Sequence, residues 1–355
     1  STQGYSSAAS DVYKRQSVLS AIREASQHNV TVKGGKYMEA VAEADTIVFD
    51  KTGTLTKAEP TVAEVVPFGG NNADEMLRMA ACMEEHFPHS MAKAVVDAAL
   101  KKDLDHEEMH SKVQYVVAHG ISTTIEGKTA IIGSYHFVFE DENCKIPEGE
   151  EAKFEALPEE YSHLYLALEG TLAAVICIED PLREEAADVI KKLKKAGITK
   201  VVMMTGDSER TAAAIAKRVG VDEYYSEVLP EDKANFITKE KEKGRKVMMI
   251  GDGINDSPAL SAASVGIAVS DGAEIAKEIA DITISAESLY EVVALKQLSN
   301  ALLKRIHTNY RSIVAINSSL IVLGVAGVLA PATSALCHNV STLLISLKSM
   351  KNLLS

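Results

Sequence analysis

The chain has 355 residues, a quarter of them charged, and a formal net charge of −13 at pH 7. That acidic balance argues against a nucleic-acid surface, which needs clustered Lys and Arg, and suits a large body kept in solution by its charge. Cys82, Cys144, Cys177 and Cys337 share no C-x-x-C spacing, so they suggest neither a disulfide framework nor a thiolate zinc site and fit a reducing compartment.

Residues 1–16 are polar, Ser-rich and patternless, and read as disordered or foreign to the fold. From Ser17 onward Val18, Leu19, Ile22 and Ala25 recur at helical spacing. Thr46-Ile47-Val48-Phe49 is a short β-rich run ending on Asp50, the first residue of Asp50-Lys51-Thr52-Gly53-Thr54-Leu55-Thr56. Buried parallel strands read as such short apolar runs, and ligands gather at their carboxyl ends.

Over 58–176 the pattern changes. A helical stretch at 75–101 is followed by alternating strands at 113–117, 121–125, 130–133, 163–168 and 172–178, with turn residues such as Glu126-Gly127 and Glu169-Gly170 between them. This predicts an α+β domain inserted into a body made of 17–57 and 177–300, with Asp180-Pro181-Leu182-Arg183 leading back. In that body Val201-Val202-Met203-Met204 enters Thr205-Gly206-Asp207, and Val247-Met248-Met249-Ile250 enters Gly251-Asp252-Gly253, each ahead of a helix. A charged helix opening at Pro230-Glu231-Asp232-Lys233 lies between them. Three strands, each ending in an Asp-bearing loop, predict an α/β doubly wound parallel sheet with its site along one edge.

The tail, 307–352, holds two apolar spans, 313–330 without a charge and a more polar 332–347. Lys304, Arg305 and Arg311 precede the pair and Lys348 and Lys351 follow it. The pattern predicts a transmembrane helical hairpin with both outer ends on the cytoplasmic side, the other reading being a buried hairpin of a soluble domain.

A carboxylate at a buried strand end can attack phosphorus if its charge and that of the phosphate are offset. Asp252 can hold Mg²⁺ together with Asp50, Lys233 brings a positive charge to the phosphoryl oxygens, and Thr205 can donate a hydrogen bond to the same group. No Gly-x-x-x-x-Gly-Lys-Ser/Thr is present, so the chain is not a P-loop enzyme.

Asp50-Lys51-Thr52-Gly53-Thr54-Leu55-Thr56, Thr205-Gly206-Asp207, Lys233 and Gly251-Asp252-Gly253-Ile254-Asn255-Asp256, in this order, resemble the phosphorylation domain of P-type ATPases in the haloacid-dehalogenase superfamily. The resemblance implies that Asp50 is phosphorylated from ATP and that Asp252, with the carbonyl of Thr52, binds Mg²⁺. It implies that Lys51, Thr205, Gly206, Asp207, Lys233, Asn255 and Asp256 complete the phosphate site. Related phosphatases carry a second Asp two residues after the nucleophile; Thr52 stands there and cannot act as general acid–base, so a phosphoenzyme would persist. The inserted domain then looks like the nucleotide-binding domain. Glu84-Glu85-His86-Phe87-Pro88-His89-Ser90 resembles the Glu…His-Pro signature of the heavy-metal branch, with Glu85, His89, Gly120 and Gly133 as nucleotide contacts. Two departures stand out: Ser90 replaces a Pro, and Ala118-His119-Gly120 keeps one glycine of a Gly-x-Gly.

A short nucleotide domain and two tail spans favour a transition-metal pump of the heavy-metal (CPx) type, a multi-pass protein of the lipid bilayer with catalytic domains in the cytoplasm. The transported ion, among Mn, Fe, Zn, Co, Cd and Cu, would meet Asn317, His338 and Ser341, helix–helix hydrogen bonding being the alternative role of such residues. The His338-Asn339-x-Ser341-Thr342 run resembles a subgroup associated with manganese or iron. The family's actuator domain and earlier helices do not appear, which makes the chain a C-terminal fragment by expectation. A soluble phosphatase and a MgATP-binding module without turnover remain the alternatives.

Overall fold

The computed structural model describes residues 2–57, 59–85, 90–104, 114–116, 120–125, 127–159, 161–252, 256–269 and 278–354. Helix α1 (Thr2–Gln27) starts well before Ser17, inside the stretch 1–16 expected to be disordered or foreign to the fold. Nothing in that stretch breaks a helix outright, and Tyr13 is buried while Lys14 pairs with Glu39 at 3.0 Å, so the first helix is tied down by packing that its polar composition hides.

Strand β1 (Val30–Val32), helix α2 (Gly35–Glu43) and strand β2 (Thr46–Asp50) follow. The chain then leaves for the inserted domain: β3 (Thr61–Pro67), α3 (Ala73–Glu84), α4 (Ser90–Lys101), β4 (Gln114–Val116), β5 (Gly120–Ile125), β6 (Lys128–Gly133), α5 (Glu151–Glu155), β7 (Ser162–Leu168) and β8 (Thr171–Glu179). Its six strands are all antiparallel, in the order β3-β8-β7-β6-β5-β4. Two findings differ from the sequence reading. The single helical stretch expected over 75–101 is two helices, and β3, at the sheet edge, was not foreseen because its residues are mostly half-exposed and carry little alternation. Met76, Leu77, Ala80 and Met83 of α3 and Val95 and Ala99 of α4 pack on Ile121, Ile132, Leu166 and Ile176, while Phe68, Phe137 and Val138 cover Ile131, Tyr165 and Val175 on the other face, so the insert has a core of its own on both sides of its sheet. Asn72 caps α3 by accepting from the amides of Asp74 and Glu75 at 2.9 and 3.2 Å.

Back in the body come α6 (Ala186–Lys195), β9 (Lys200–Met204), α7 (Glu209–Val219), β10 (Glu223–Tyr225), α8 (Pro230–Glu242), β11 (Val247–Gly251), α9 (Ser257–Ala262), β12 (Val265–Val269) and β13 (Ile282–Ile284). The sheet runs β1-β13-β12-β11-β2-β9-β10, parallel except for β1. The three runs picked out in the sequence are three adjacent interior strands, β11, β2 and β9, with β2 between the others. Asp50 is level with Met204 and Phe49 with Ile250, so the loops after all three open on one edge.

Helix α10 (Tyr290–Val325) begins inside this body, with Val292, Leu295, Leu298 and Leu302 in the core. Lys296 is 2% exposed, and its Nζ donates to the carbonyls of Val41, Ala42 and Ala44 at 2.8, 2.9 and 2.8 Å. These carbonyls close the end of α2, the last of them two residues before the strand that delivers Asp50. Lys296→Met keeps the stem but removes the donor, and is expected to cost on the order of 3 kcal/mol in urea unfolding. An unchanged midpoint would mean that water satisfies those carbonyls instead.

The tail forms a helical hairpin, α10 and α11 (Pro331–Ser349), as expected in outline. Its reading as two membrane spans is corrected: among the described residues no helix is long and apolar enough to cross a membrane. The charge-free run 313–330 is not one helix, since α10 ends at Val325 and Gly327 adopts φ +73°, a conformation that leaves the helix at no steric cost for glycine. Pro331 then starts α11. Ile321, Val322, Val325, Leu336, Leu343, Leu344 and Leu347 remain exposed on the hairpin. The chain end is clamped: Glu24 accepts from the amides of Leu353 and Leu354 at 2.6 and 3.0 Å, and Arg305 donates to the carbonyls of Lys351 and Asn352.

Candidate active site

Every residue of β2 is buried, which brings Asp50 to the sheet edge with only 7% of its surface exposed. The chain leaves it in a wide turn over Lys51–Leu55, closed by the Thr56 amide on the Lys51 carbonyl at 3.2 Å and the Gly53 amide on Thr56 Oγ1 at 3.0 Å. Pro230 at the first position of α8 sets that helix, and Lys233 lies one turn in. Its Nζ donates to Asp50 Oδ1 at 2.6 Å and to Asp256 Oδ1 at 2.7 Å. Asp252 is close enough to act on Asp50 through its charge.

The electrostatics are those of a crowded acidic site. Burial above all, with the Asp256 charge, pushes the Asp50 carboxyl up to about 7 against the pull of Lys233, and Asp252 adds to the rise. Lys233 is buried too, yet Asp50 and Asp256 hold its ammonium well above the ordinary lysine range. Two carboxylates, Asp50 and Asp256, therefore share one lysine, with the Asp252 charge nearby. Asp256 Oδ2 is buried without a hydrogen-bond partner among the described residues, as is Thr54 Oγ1. Buried polar atoms left open in this way mark a place for a ligand or ion. Among the described residues no three His, Cys, Asp or Glu side chains form a cage for a metal by themselves. Magnesium needs only one or two carboxylates and keeps its waters, so the carboxylate excess around Asp50 fits it.

A second cluster lies beside the first. Lys51 turns from Asp50 to Asp207, at 2.7 Å from Oδ2, and donates to Ser162 Oγ at 2.9 Å. Thr205 Oγ1 donates to Asp207 Oδ2 at 2.6 Å and accepts from the Asp207 amide at 3.1 Å. Burial works against the Asp207 carboxylate, but Lys51 and the hydrogen bonds of Ser162 and Thr205 outweigh it and hold the group below its usual range. The Thr205 proton foreseen for a phosphoryl oxygen is thus committed to Asp207 here. Ser162 and Asp180, whose carboxyl faces Lys51 from the connecting strand, were not singled out from the sequence.

The remaining expected residues are dispersed. His89 and Asn255 lie outside the described residues. Glu85 is exposed at the end of α3. Gly120 and Gly133 pair directly across β5 and β6, and a Cβ on Gly120 would stand 2.3 Å from the Phe137 ring and 2.5 Å from the Ile132 carbonyl. That close approach alone requires glycine at 120. In the tail, His338 Nδ1 and Asn317 Oδ1 meet at 2.9 Å, whereas Ser341 donates to the His338 carbonyl at 2.8 Å.

Residues 44–264 match the family model for haloacid dehalogenase-like hydrolases. The chain is 33% identical over 337 residues to a zinc-exporting P-type ATPase of Mycobacterium marinum, an alignment covering 94% of this chain and 46% of that protein. It is 32% identical to a manganese-exporting P-type ATPase of Mycobacterium tuberculosis, over 94% of this chain and 47% of the relative. The chain therefore spans about half the length of the curated relatives it matches. Among solved structures, a zinc-transporting PIB-type ATPase in its E2.Pi state superposes with a TM-score of 0.69 at 28% identity, covering 96% of this chain and 55% of that one.

Proposed function

The chain belongs to the haloacid dehalogenase-like hydrolases, and from that footing we propose that it is the energy-coupling part of a metal-exporting P-type ATPase, with Asp50 as acceptor of the γ-phosphate of ATP. The observation that carries this reading is the buried Asp50 carboxylate at a parallel strand end, bonded to Lys233, with no carboxylate at position 52 to hydrolyse what forms.

In the proposed step one Asp50 oxygen forms a bond to the γ-phosphorus. The bond from that phosphorus to the β–γ bridging oxygen breaks, and ADP leaves with the electron pair. Lys233 favours the ionised form of Asp50 against the effect of burial and aligns it, and its charge is available to the phosphoryl oxygens once the phosphoryl group arrives. Magnesium, when bound, offsets the negative charge of phosphates and carboxylates; Asp50, Asp252 and the Thr52 carbonyl would hold it. The inserted domain would carry the nucleotide.

The cargo is a transition-metal cation in this reading. Two relatives are named for zinc and manganese. The bond between His338 Nδ1 and Asn317 supports a role for this pair, because it leaves Nε2 as the atom that could meet a cation. Membrane attachment would come through the exposed apolar face of the hairpin joined to further helices of a longer protein.

The test is γ-labelled ATP with an acid quench. The expected product is a phosphoprotein stable in acid and labile to hydroxylamine, and Thr52→Asp should shorten its lifetime about 100-fold by restoring a general acid–base. Steady phosphate release from the wild-type chain without a trapped intermediate would favour a phosphatase, and no label at all a passive nucleotide-binding module.

A further inference from the structure

Outside the carboxylate cluster, one short segment of the inserted domain, 155–162, meets the sheet body at three places. Arg210, near the start of α7, donates to the Glu155 carbonyl at 2.7 Å and pairs with Glu159 at 2.8 Å. Thr211 Oγ1 donates to the Tyr161 carbonyl at 3.0 Å. The third contact differs in kind. Ser162 Oγ is buried and accepts from Lys51 Nζ at 2.9 Å, and Lys51 in turn pairs with Asp207 at 2.7 Å. Lys51 is the neighbour of Asp50 in the chain, and Asp207 closes the loop after β9. The hydroxyl of the insert is thus bonded to the residue that follows the reacting carboxylate, and through it reaches the loop after β9.

The covalent connection between the two bodies does not do this. It consists of two crossings paired with each other: Thr56 bridges Leu182, the Lys57 amide bonds the Pro181 carbonyl at 3.2 Å and the Arg183 amide the Leu55 carbonyl at 2.9 Å. Arg183 Nε reinforces the pair through the carbonyls of Thr54 and Thr56 at 2.9 and 3.1 Å. A two-stranded ribbon resists stretching but bends across its face, so it supplies a hinge axis and leaves the angle free. The three contacts of 155–162 set the angle. Each is a hydrogen bond or a surface ion pair, and Lys51 keeps Asp207 as a partner when Ser162 withdraws, so the contacts can open and close without stranding a charge.

We propose that Ser162 is a positioning residue for phosphoryl transfer: it latches the inserted domain to Lys51, itself paired with Asp207, and so fixes the angle at which a nucleotide carried by that domain faces Asp50. This rests on the reading of Asp50 as nucleophile. The test uses the full chain and two donors, ATP and acetyl phosphate, a small acyl phosphate that needs no nucleotide domain. In Ser162→Ala the rate of Asp50 labelling at saturating ATP should fall about tenfold or more, with ATP affinity within about twofold and the acetyl phosphate rate unchanged; Ser162→Thr should restore it. Equal slowing with both donors would assign Ser162 to the local structure of the Lys51 shelf, and an unchanged ATP rate would remove its role altogether.

A second readout stands whether or not Asp50 accepts phosphate. Spin labels on Lys128→Cys in the insert and Lys195→Cys in the body, in a Cys337→Ser background that removes the exposed native thiol, report the inter-domain distance without nucleotide. The distribution should be narrow in the parent and broadened by Ser162→Ala and by Arg210→Ala. An unchanged width in both variants overturns the latch, while absence of label from either donor with a broadened distribution sinks only the nucleophile assignment.

Discussion

Asp50→Asn is expected to lower the acid-stable label transferred from ATP by at least ~1,000-fold, because it removes the oxygen that bonds to phosphorus. The same variant should also be more stable than the parent, and the sign follows from burial. In the unfolded chain the carboxyl titrates near 3.8, whereas burial and the neighbouring Asp256 and Asp252 raise it to about 7 in the fold. Between those values the folded protein holds a proton that the unfolded chain has released. Stability therefore falls as pH rises through the window, and the penalty is complete above 7. Asparagine does not titrate. With EDTA present, the gain in Tm of Asp50→Asn over the parent should be wider at pH 8 than at pH 5, and a gap that is equal or reversed would contradict the assigned environment.

Lys233→Met should have the second largest effect. It leaves the Asp50 and Asp256 carboxylates facing each other without the ammonium that bonds both, at 2.6 and 2.7 Å. Breaking a buried pair from one side costs about 3–5 kcal/mol, and losing a preorganised charge at a phosphoryl site costs about 100- to 1,000-fold in rate. Rapid-quench labelling and urea unfolding measure the two separately. A variant that unfolds earlier but labels at the parental rate would confine Lys233 to a structural role. Adding Asp256→Asn should recover part of the stability without recovering the rate, since it relieves the repulsion and supplies no cation.

Much of this arrangement is legible in the sequence because burial on both faces leaves an unbroken apolar run. Ile47-Val48-Phe49, Val201–Met204 and Val247–Ile250 stand out for that reason, and each ends on a polar loop. The three-residue strands β1, β10 and β13 are too short to carry a period, and β3 lies at an edge where exposure blurs it. Side-chain direction is a further limit. The order of motifs names Lys51 and Asp207 but says nothing of their pairing, and Ser162 is one serine among many until the strand register sets it against Lys51. The tail shows the opposite error: its apolar run was visible, but a run is counted in residues and a span in continuous helix, and Gly327 separates the two measures.

The route of the chain through the sheet has a consequence for how the protein is made. β2 pairs with β9 on one side and β11 on the other, Thr46 lying against both Lys200 and Val247. During synthesis the strand carrying Asp50 emerges before either partner and has no neighbour until the whole insert and α6 have followed. The insert needs no such wait, since each of its strands pairs within it and its core is its own. It can complete on the ribosome first, while the central sheet closes only after β11 appears. Until β9 appears β2 is an unpaired apolar strand, the form most exposed to aggregation, and until β11 appears one of its edges stays open. Refolding from denaturant should accordingly show a fast phase from the insert and a slower one from the sheet, and the competence to accept phosphate should arrive with the slower.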